Sequence, residues 1–317
     1  MKQKLTLEET IQALNMTMPA QTGETPVPKN KPAYADVYYT EAKDERQSLD
    51  IYLPRQSDGP APVIVYIHGG AWTVGSKADV GQNSYNVHVL ADNLLNSGFA
   101  IAAVNYRLMP QYRYPAQTDD VVAAVKFVCD HAAEYGLDAS RMAIMGESAG
   151  GFLTEFAATT LGTDYLLACV AFYSPSDLAT LSDQNCVEHG GKDVNFMDIL
   201  SAAMPGVLPD GEKMEEMLLQ ERIGTEAFRE KAKAVSPAYR VSDRTPPTLL
   251  LHGTGDKVIA YAQSVSYLER LQAAAVPCEL VTMEGANHME PRLFNSPEYT
   301  EEIINFLKTF MNPLLYV

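Results

Sequence analysis

The run PVIVYIHGG, residues 62–70, constrains the fold more than any other part of the chain. Its apolar side chains are nearly continuous rather than alternating, so a strand built from it must be covered on both faces. The same texture returns at 99–108, 141–148, 167–174, 245–256 and 278–284, with stretches of helical periodicity between the runs and after the last, at 298–311. Apolar strands alternating with amphipathic helices predict an α/β fold, a mostly parallel sheet flanked by helices. Upstream, YADVYYTE and SLDIYLP are strand-like and flank the charged turn AKDER, which predicts an antiparallel hairpin.

The alternation breaks between Ser174 and about Val235, where no strand is predicted over a stretch longer than ordinary loops. EKMEEMLLQERI within it reads as amphipathic helix, and Met197, Met204, Met214 and Met217 would suit an adaptable apolar pocket or ordinary core filling. Residues 175–235 are therefore expected to form a helical cap insertion. That insertion lies within a domain spanning 34–317, preceded by an N-terminal helical segment, 1–33.

The chain carries 24 basic and 40 acidic side chains, a net charge of −16. Such a surface repels phosphate backbones and anionic lipid heads, so neither nucleic acid nor a membrane is the expected partner. Cys129, Cys169, Cys186 and Cys278 are scattered without a CxxC pair, which points away from structural zinc and a disulfide framework. The first twenty residues lack the apolar run of an export signal, and no stretch is long enough to span a bilayer, so a cytoplasmic location is expected. Neither HExxH, P-loop nor GxGxxG is present, and no metal or cofactor is expected.

Chemistry concentrates in three places. Gly146-Glu147-Ser148-Ala149-Gly150 is a G-x-S-x-G between an apolar strand and a small-residue helix. The glycines permit a sharp turn that lifts the Ser148 hydroxyl out of the sheet, with helix N–H groups beside it. His68-Gly69-Gly70-Ala71-Trp72 ends another buried strand, where glycines let backbone N–H groups approach a substrate oxygen. A serine needs a base, and the base an orienting acid. Of six histidines, His68 belongs to the glycine turn, His252 closes a strand, His88 and His131 sit in helices, and His189 lies in the insertion. His288 follows the last strand in GANHME, and Asp256 follows the preceding one in HGTGD, giving the chain order Ser148, Asp256, His288.

Other side chains have structural readings. Arg107 is expected to pair with Asp119 or Asp120, and Glu147 to support the turn from beneath. Trp72, the single tryptophan, is a candidate substrate-binding platform or a packing wall.

HGGAW, NYRL…YPA, GESAGG, HGTGD and GANH together resemble the α/β-hydrolase fold, in the esterase branch related to hormone-sensitive lipase and to feruloyl- or acetyl-ester carbohydrate esterases. The resemblance implies Ser148 as nucleophile, His288 as base and Asp256 as its orienter, with Gly69, Gly70 and Ala149 as oxyanion-hole donors. Ala71 and Trp72 stand where HGGG would continue, which leaves the Ala71 amide open as a further donor.

The expected activity is hydrolysis of short- to medium-chain acyl esters, with acetyl or feruloyl esters of carbohydrates as a refinement and a small ester as the partner. An arylformamidase is the neighbouring alternative, because related hydrolases with an HGG-x-W turn cleave N-formyl amides. A non-catalytic binding module of the same fold is the other. Oligomeric state, a homo-oligomer included, is not readable from the sequence.

Overall fold

The computed structural model describes residues 30–81, 87–188 and 214–311. Eight strands form one sheet: β1 (Tyr34–Tyr38), β2 (Ser48–Tyr52), β3 (Ala61–Ile67), β4 (Ala100–Val104), β5 (Leu137–Glu147), β6 (Ala168–Phe172), β7 (Thr248–Gly253) and β8 (Cys278–Met283). Their order is β1-β2-β4-β3-β5-β6-β7-β8. The β1–β2 and β2–β4 pairings are antiparallel and all others parallel. The expected hairpin is therefore the antiparallel edge of a mostly parallel sheet.

β4, β6 and β7 are buried at every position, as their unbroken apolar runs require. Helices cover both faces. On one side α2 (Ala116–Asp130) and α3 (Ala149–Leu161) pack Val121, Val125, Phe152 and Leu153 against Val63, Val65, Ile67 and Ile144. On the other, α1 (Val87–Asn96) and a later helix over Pro297–Phe310 pack Leu90, Leu94, Ile303 and Leu307 against Ile64, Ile101 and Val170. Strand β5 starts earlier than its apolar run, because Leu137 and Asp138 pair with Ala61 and Pro62 before a register shift.

The expected insertion contains α4 (Leu181–Glu188), α5 (Met214–Leu219) and α6 (Glu226–Val235). Met217, Leu218, Phe228 and Ala232 are buried and join the core on the α2/α3 side. The Tyr114 N–H donates to the Leu218 carbonyl at 3.3 Å, tying α5 to the loop before α2. The N-terminal helical segment, except its last few residues, lies outside the described residues, as do His189, Met197 and Met204. After β7 come α7 (Ala262–Ala273), the short α8 (Arg292–Asn295) and α9, the Pro297–Phe310 helix. No helix among the described residues is long and apolar enough to cross a membrane.

Candidate active site

Ser148 stands between the end of β5 and the start of α3, with φ 54° and ψ −122°. A non-glycine residue held there is strained, and the surroundings must impose it. They do so through the Ser148 N–H, which donates to the Phe172 carbonyl at 2.9 Å, and the Ser148 carbonyl, which accepts from the Phe152 N–H at 3.1 Å. The helix start passes so close to β3 that a Cβ on Gly150 would lie 2.3 Å from the Ile67 carbonyl oxygen and 2.4 Å from that of His68. Only glycine fits at that crossing.

The loops after β7 and β8 bring the two other expected residues to the serine. His288 Nε2 lies 3.0 Å from Ser148 Oγ, and His288 Nδ1 lies 2.7 Å from Asp256 Oδ2. Because Nδ1 faces a carboxylate it carries the proton, leaving the Nε2 lone pair to accept from the serine hydroxyl. The Tyr173 ring stands edge-on to the imidazole at 4.5 Å between centroids.

Asp256 is only 1% exposed. Its Oδ1 accepts from the Val258 and Ile259 N–H groups at 2.8 and 2.9 Å. Burial by itself would raise this carboxyl. The attraction of His288, with the hydrogen bonds of His252 and His288, outweighs burial and holds it well below the usual carboxylate range.

His252, which reads in the sequence as the end of a strand, is part of this arrangement. Its Nε2 lies 3.2 Å from Asp256 Oδ2 and 3.0 Å from the Ile259 carbonyl, and its Nδ1 lies 2.7 Å from Ser264 Oγ. With two acceptors at Nε2, the proton belongs there. Its spacing four residues before the aspartate was the only available signal.

The oxyanion-hole expectation needs one correction. The Gly69 N–H donates to Glu147 Oε1 at 2.5 Å, so it is turned toward the carboxyl beneath the elbow and is not available to a substrate. No acceptor among the described residues is paired with the N–H groups of Gly70, Ala71 or Ala149. Gly69 therefore drops out of the expected donor set. Burial drives Glu147 up to about 8, against the opposing bond from Gly69, so this support is largely a neutral acid at pH 7.

Trp72 also differs from the platform expectation. Its indole is 0% exposed and meets the Phe152 ring edge-on at 5.4 Å, so it walls the core beneath the turn. Arg107 grips Asp120 through Nε at 2.8 Å and Nη2 at 2.7 Å, and its backbone N–H donates to the same carboxylate at 2.9 Å. It ties the loop after β4 to α2, with Asp120 rather than Asp119 as partner. His88 is buried in α1, and His131 pairs with Glu134 at the surface.

Comparison with known proteins gives the family. The BD-FAE family model matches residues 49–271, well over half of the chain. The chain is 30% identical over 259 residues to a probable isoprenylcysteine alpha-carbonyl methylesterase, ICMEL1, of Arabidopsis thaliana, covering 77% of this chain and 49% of that protein. It is 30% identical over 261 residues to esterase LipC of Mycobacterium tuberculosis, covering 77% and 57%. The alignments thus span about half the length of these curated relatives. Among solved structures, a truncated carbohydrate esterase from gut microbiota superimposes with a TM-score of 0.72 at 25% identity, covering 91% of this chain and 99% of that one. On the match to its family model and on the sheet order and elbow described above, the chain belongs to the BD-FAE family and has the α/β-hydrolase fold.

Proposed function

We propose that the protein is a serine carboxylesterase that hydrolyses short- to medium-chain acyl esters through an acyl-enzyme, with acetyl or feruloyl esters of carbohydrates as its substrate class. The observation that carries the reading is the Ser148 Oγ, His288 Nε2, His288 Nδ1, Asp256 Oδ2 chain, at 3.0 and 2.7 Å. In the first half-reaction His288 takes the hydroxyl proton as Ser148 Oγ bonds to the ester carbonyl carbon. The Gly70, Ala71 and Ala149 amides receive the oxyanion, and each such donor lowers the barrier by about 3 kcal/mol. His288 then returns the proton to the departing alcohol. Water repeats the sequence on the acyl-serine, and Asp256 holds the ring and stabilises its charged form throughout.

Two similarities support the carbohydrate refinement: the gut carbohydrate esterase above, and a Caldicellulosiruptor lactoaceticus acetyl ester-xyloside bifunctional hydrolase, which shares the fold with a TM-score of 0.62 at 20% identity over 91% of this chain and 98% of that one. The insertion carrying α4, α5 and α6 is the element we assign as cap over the site.

Hydrolysis of p-nitrophenyl esters from acetate to decanoate and of acetylated xylo-oligosaccharides, by wild type and Ser148→Ala in parallel, tests the reading. Activity should peak at short chains, extend to the acetylated sugar and fall at least a thousandfold in the variant. Equal activity in both proteins would move the nucleophile elsewhere. Cleavage of N-formyl amides in preference to esters would assign the formamidase class instead.

A further inference from the structure

A backbone N–H can stabilise an oxyanion only if its peptide plane is turned the right way. In a trans peptide the N–H and the preceding C=O point in opposite directions, so whatever holds the carbonyl sets the donor. Neither peptide after Gly69 or Gly70 is cis. The Gly70 carbonyl is tied by the Thr73 and Val74 N–H groups at 2.9 and 3.0 Å, and this directs the Ala71 N–H. The Gly69 carbonyl, which directs the Gly70 N–H, is held differently. Its partners are His68 Nδ1 at 2.7 Å and the Tyr106 hydroxyl at 3.3 Å.

A carbonyl oxygen only accepts, so the His68 contact is a bond only while Nδ1 carries the proton. A neutral imidazole has one N–H, and something must reserve Nε2 as the unprotonated nitrogen. That partner is Arg46, 22 residues upstream in the turn between β1 and β2. Arg46 Nη2 lies 3.2 Å from His68 Nε2. A guanidinium has no lone pair to offer, so it donates, and Nε2 must accept. The guanidinium is itself fixed by two backbone carbonyls, Tyr106 at 3.0 Å from Nε and Gly75 at 3.2 Å from Nη1. The imidazole cannot swing away: Tyr106 stacks on it at 4.3 Å with an interplanar angle of 15°, and a Cβ on Gly75 would lie 2.3 Å from its Nδ1. Burial, and next the Arg46 charge, push the His68 ring down to about 3, so it stays neutral at working pH.

We infer that Arg46 is a positioning residue for the oxyanion hole: by donating to His68 Nε2 it selects the Nδ1–H tautomer, which anchors the Gly69 carbonyl and so turns the Gly70 N–H toward the reacting oxygen. The inference rests on the serine-esterase reading for its catalytic consequence, but the tautomer is a property of the ring alone. Without the guanidinium the proton can move to Nε2. The Nδ1 lone pair then faces the Gly69 oxygen, and only the long contact from the Tyr106 hydroxyl, which lies closer to the His68 carbonyl at 3.0 Å, still holds the peptide.

Two-bond 15N–1H spectra of the imidazoles test this, with the His68 signals assigned by their loss in His68→Asn. Wild type should show a protonated Nδ1 and an unprotonated Nε2 on His68. Arg46→Met should shift that ring toward the Nε2–H form and lower kcat about tenfold or more, with KM within about twofold. Outright loss of an oxyanion donor lowers kcat by roughly 10²–10³, and uniform binding would move KM instead. Arg46→Lys, which keeps one donor, should recover part of both signals. A wild-type His68 protonated on Nε2 overturns the inference even if Arg46→Met fails to fold. So does a folded Arg46→Met with unchanged tautomer and kcat. Full hydrolysis by Ser148→Ala would instead overturn the esterase reading and leave the tautomer result standing.

Discussion

Glu155 offers a test in which the sign and size of the effect come from burial alone. It lies seven residues after Ser148 on α3 and is 0% exposed. Oε2 accepts from the Ser174 hydroxyl at 2.8 Å, while Oε1 has no partner among the described residues. Burial drives its pKa from 4.5 to about 8, against the weaker opposing bonds of Ser176 and Ser174. Between those values the folded protein binds a proton that the unfolded chain releases, so stability falls as pH rises and levels off above the folded value. At 1.36 kcal/mol per pH unit the cost is about 2 kcal/mol at pH 6 and about 5 kcal/mol at pH 9. Glu155→Gln keeps an acceptor for Ser174 and removes the titration. Unfolding entropy of about 2.1 cal/mol/K per residue makes 1 kcal/mol worth about 1.5 °C in a chain of this size. The Tm of the variant relative to wild type should therefore rise by about 4 °C between pH 6 and pH 9. Glu147, present in both proteins, cancels in that difference. Thermal unfolding across the pH range checks it. A gap that stays constant with pH would refute the picture of a buried neutral acid, whatever its size at any one pH.

Two further substitutions probe the site. His252→Phe removes the second imidazole from Asp256 Oδ2, a bond to an ionised group that contributes about 1.5–3 kcal/mol, so kcat on p-nitrophenyl acetate should fall roughly tenfold or more with KM little changed. An unaltered kcat would return His252 to a purely structural role. Trp72→Phe should cost about 2 kcal/mol in urea unfolding, because the indole is fully buried against Phe152, and should leave the preference for acetylated sugars over simple esters unchanged. A selective loss on the sugar would show that the ring meets substrate.

The parts legible in the sequence are those written in local pattern. Unbroken apolar runs mark β3, β4, β6 and β7 as strands covered on both sides, and the G-x-S-x-G turn, HGTGD and GANH each close a strand at one sheet edge. Proximity of Ser148, Asp256 and His288 follows from that topology. The misread parts depend on which way a group faces. Nothing in HGGAW tells that Gly69 N–H turns to Glu147 while Gly70 and Ala71 do not, because Glu147 is 78 residues away. AKDER reads only as a charged hairpin turn, yet Arg46 reaches under the glycine loop, a contact no periodicity encodes. Trp72 is ambiguous by type, since an indole serves equally as platform or wall, and only the position of Phe152 settles it.

Three buried carboxyls, Asp256, Glu147 and Glu155, lie around the elbow, and the protein assigns them different charge states through the groups each one faces. Asp256 has two imidazoles and two backbone N–H groups, enough to overcome desolvation and keep it ionised. Glu147 has the Gly69 N–H with a long Tyr173 hydroxyl contact, and Glu155 has serine hydroxyls, so burial prevails and both rise to about 8. The division has a chemical reason. An imidazolium formed at His288 needs one permanent negative charge at Nδ1, but a second or third charge beneath the nucleophile would oppose the oxyanion developing above it. Supplying Glu147 and Glu155 with few donors keeps them neutral without a counter-ion. It follows that raising the pH through about 8 puts negative charge under the elbow, against the oxyanion developing above it.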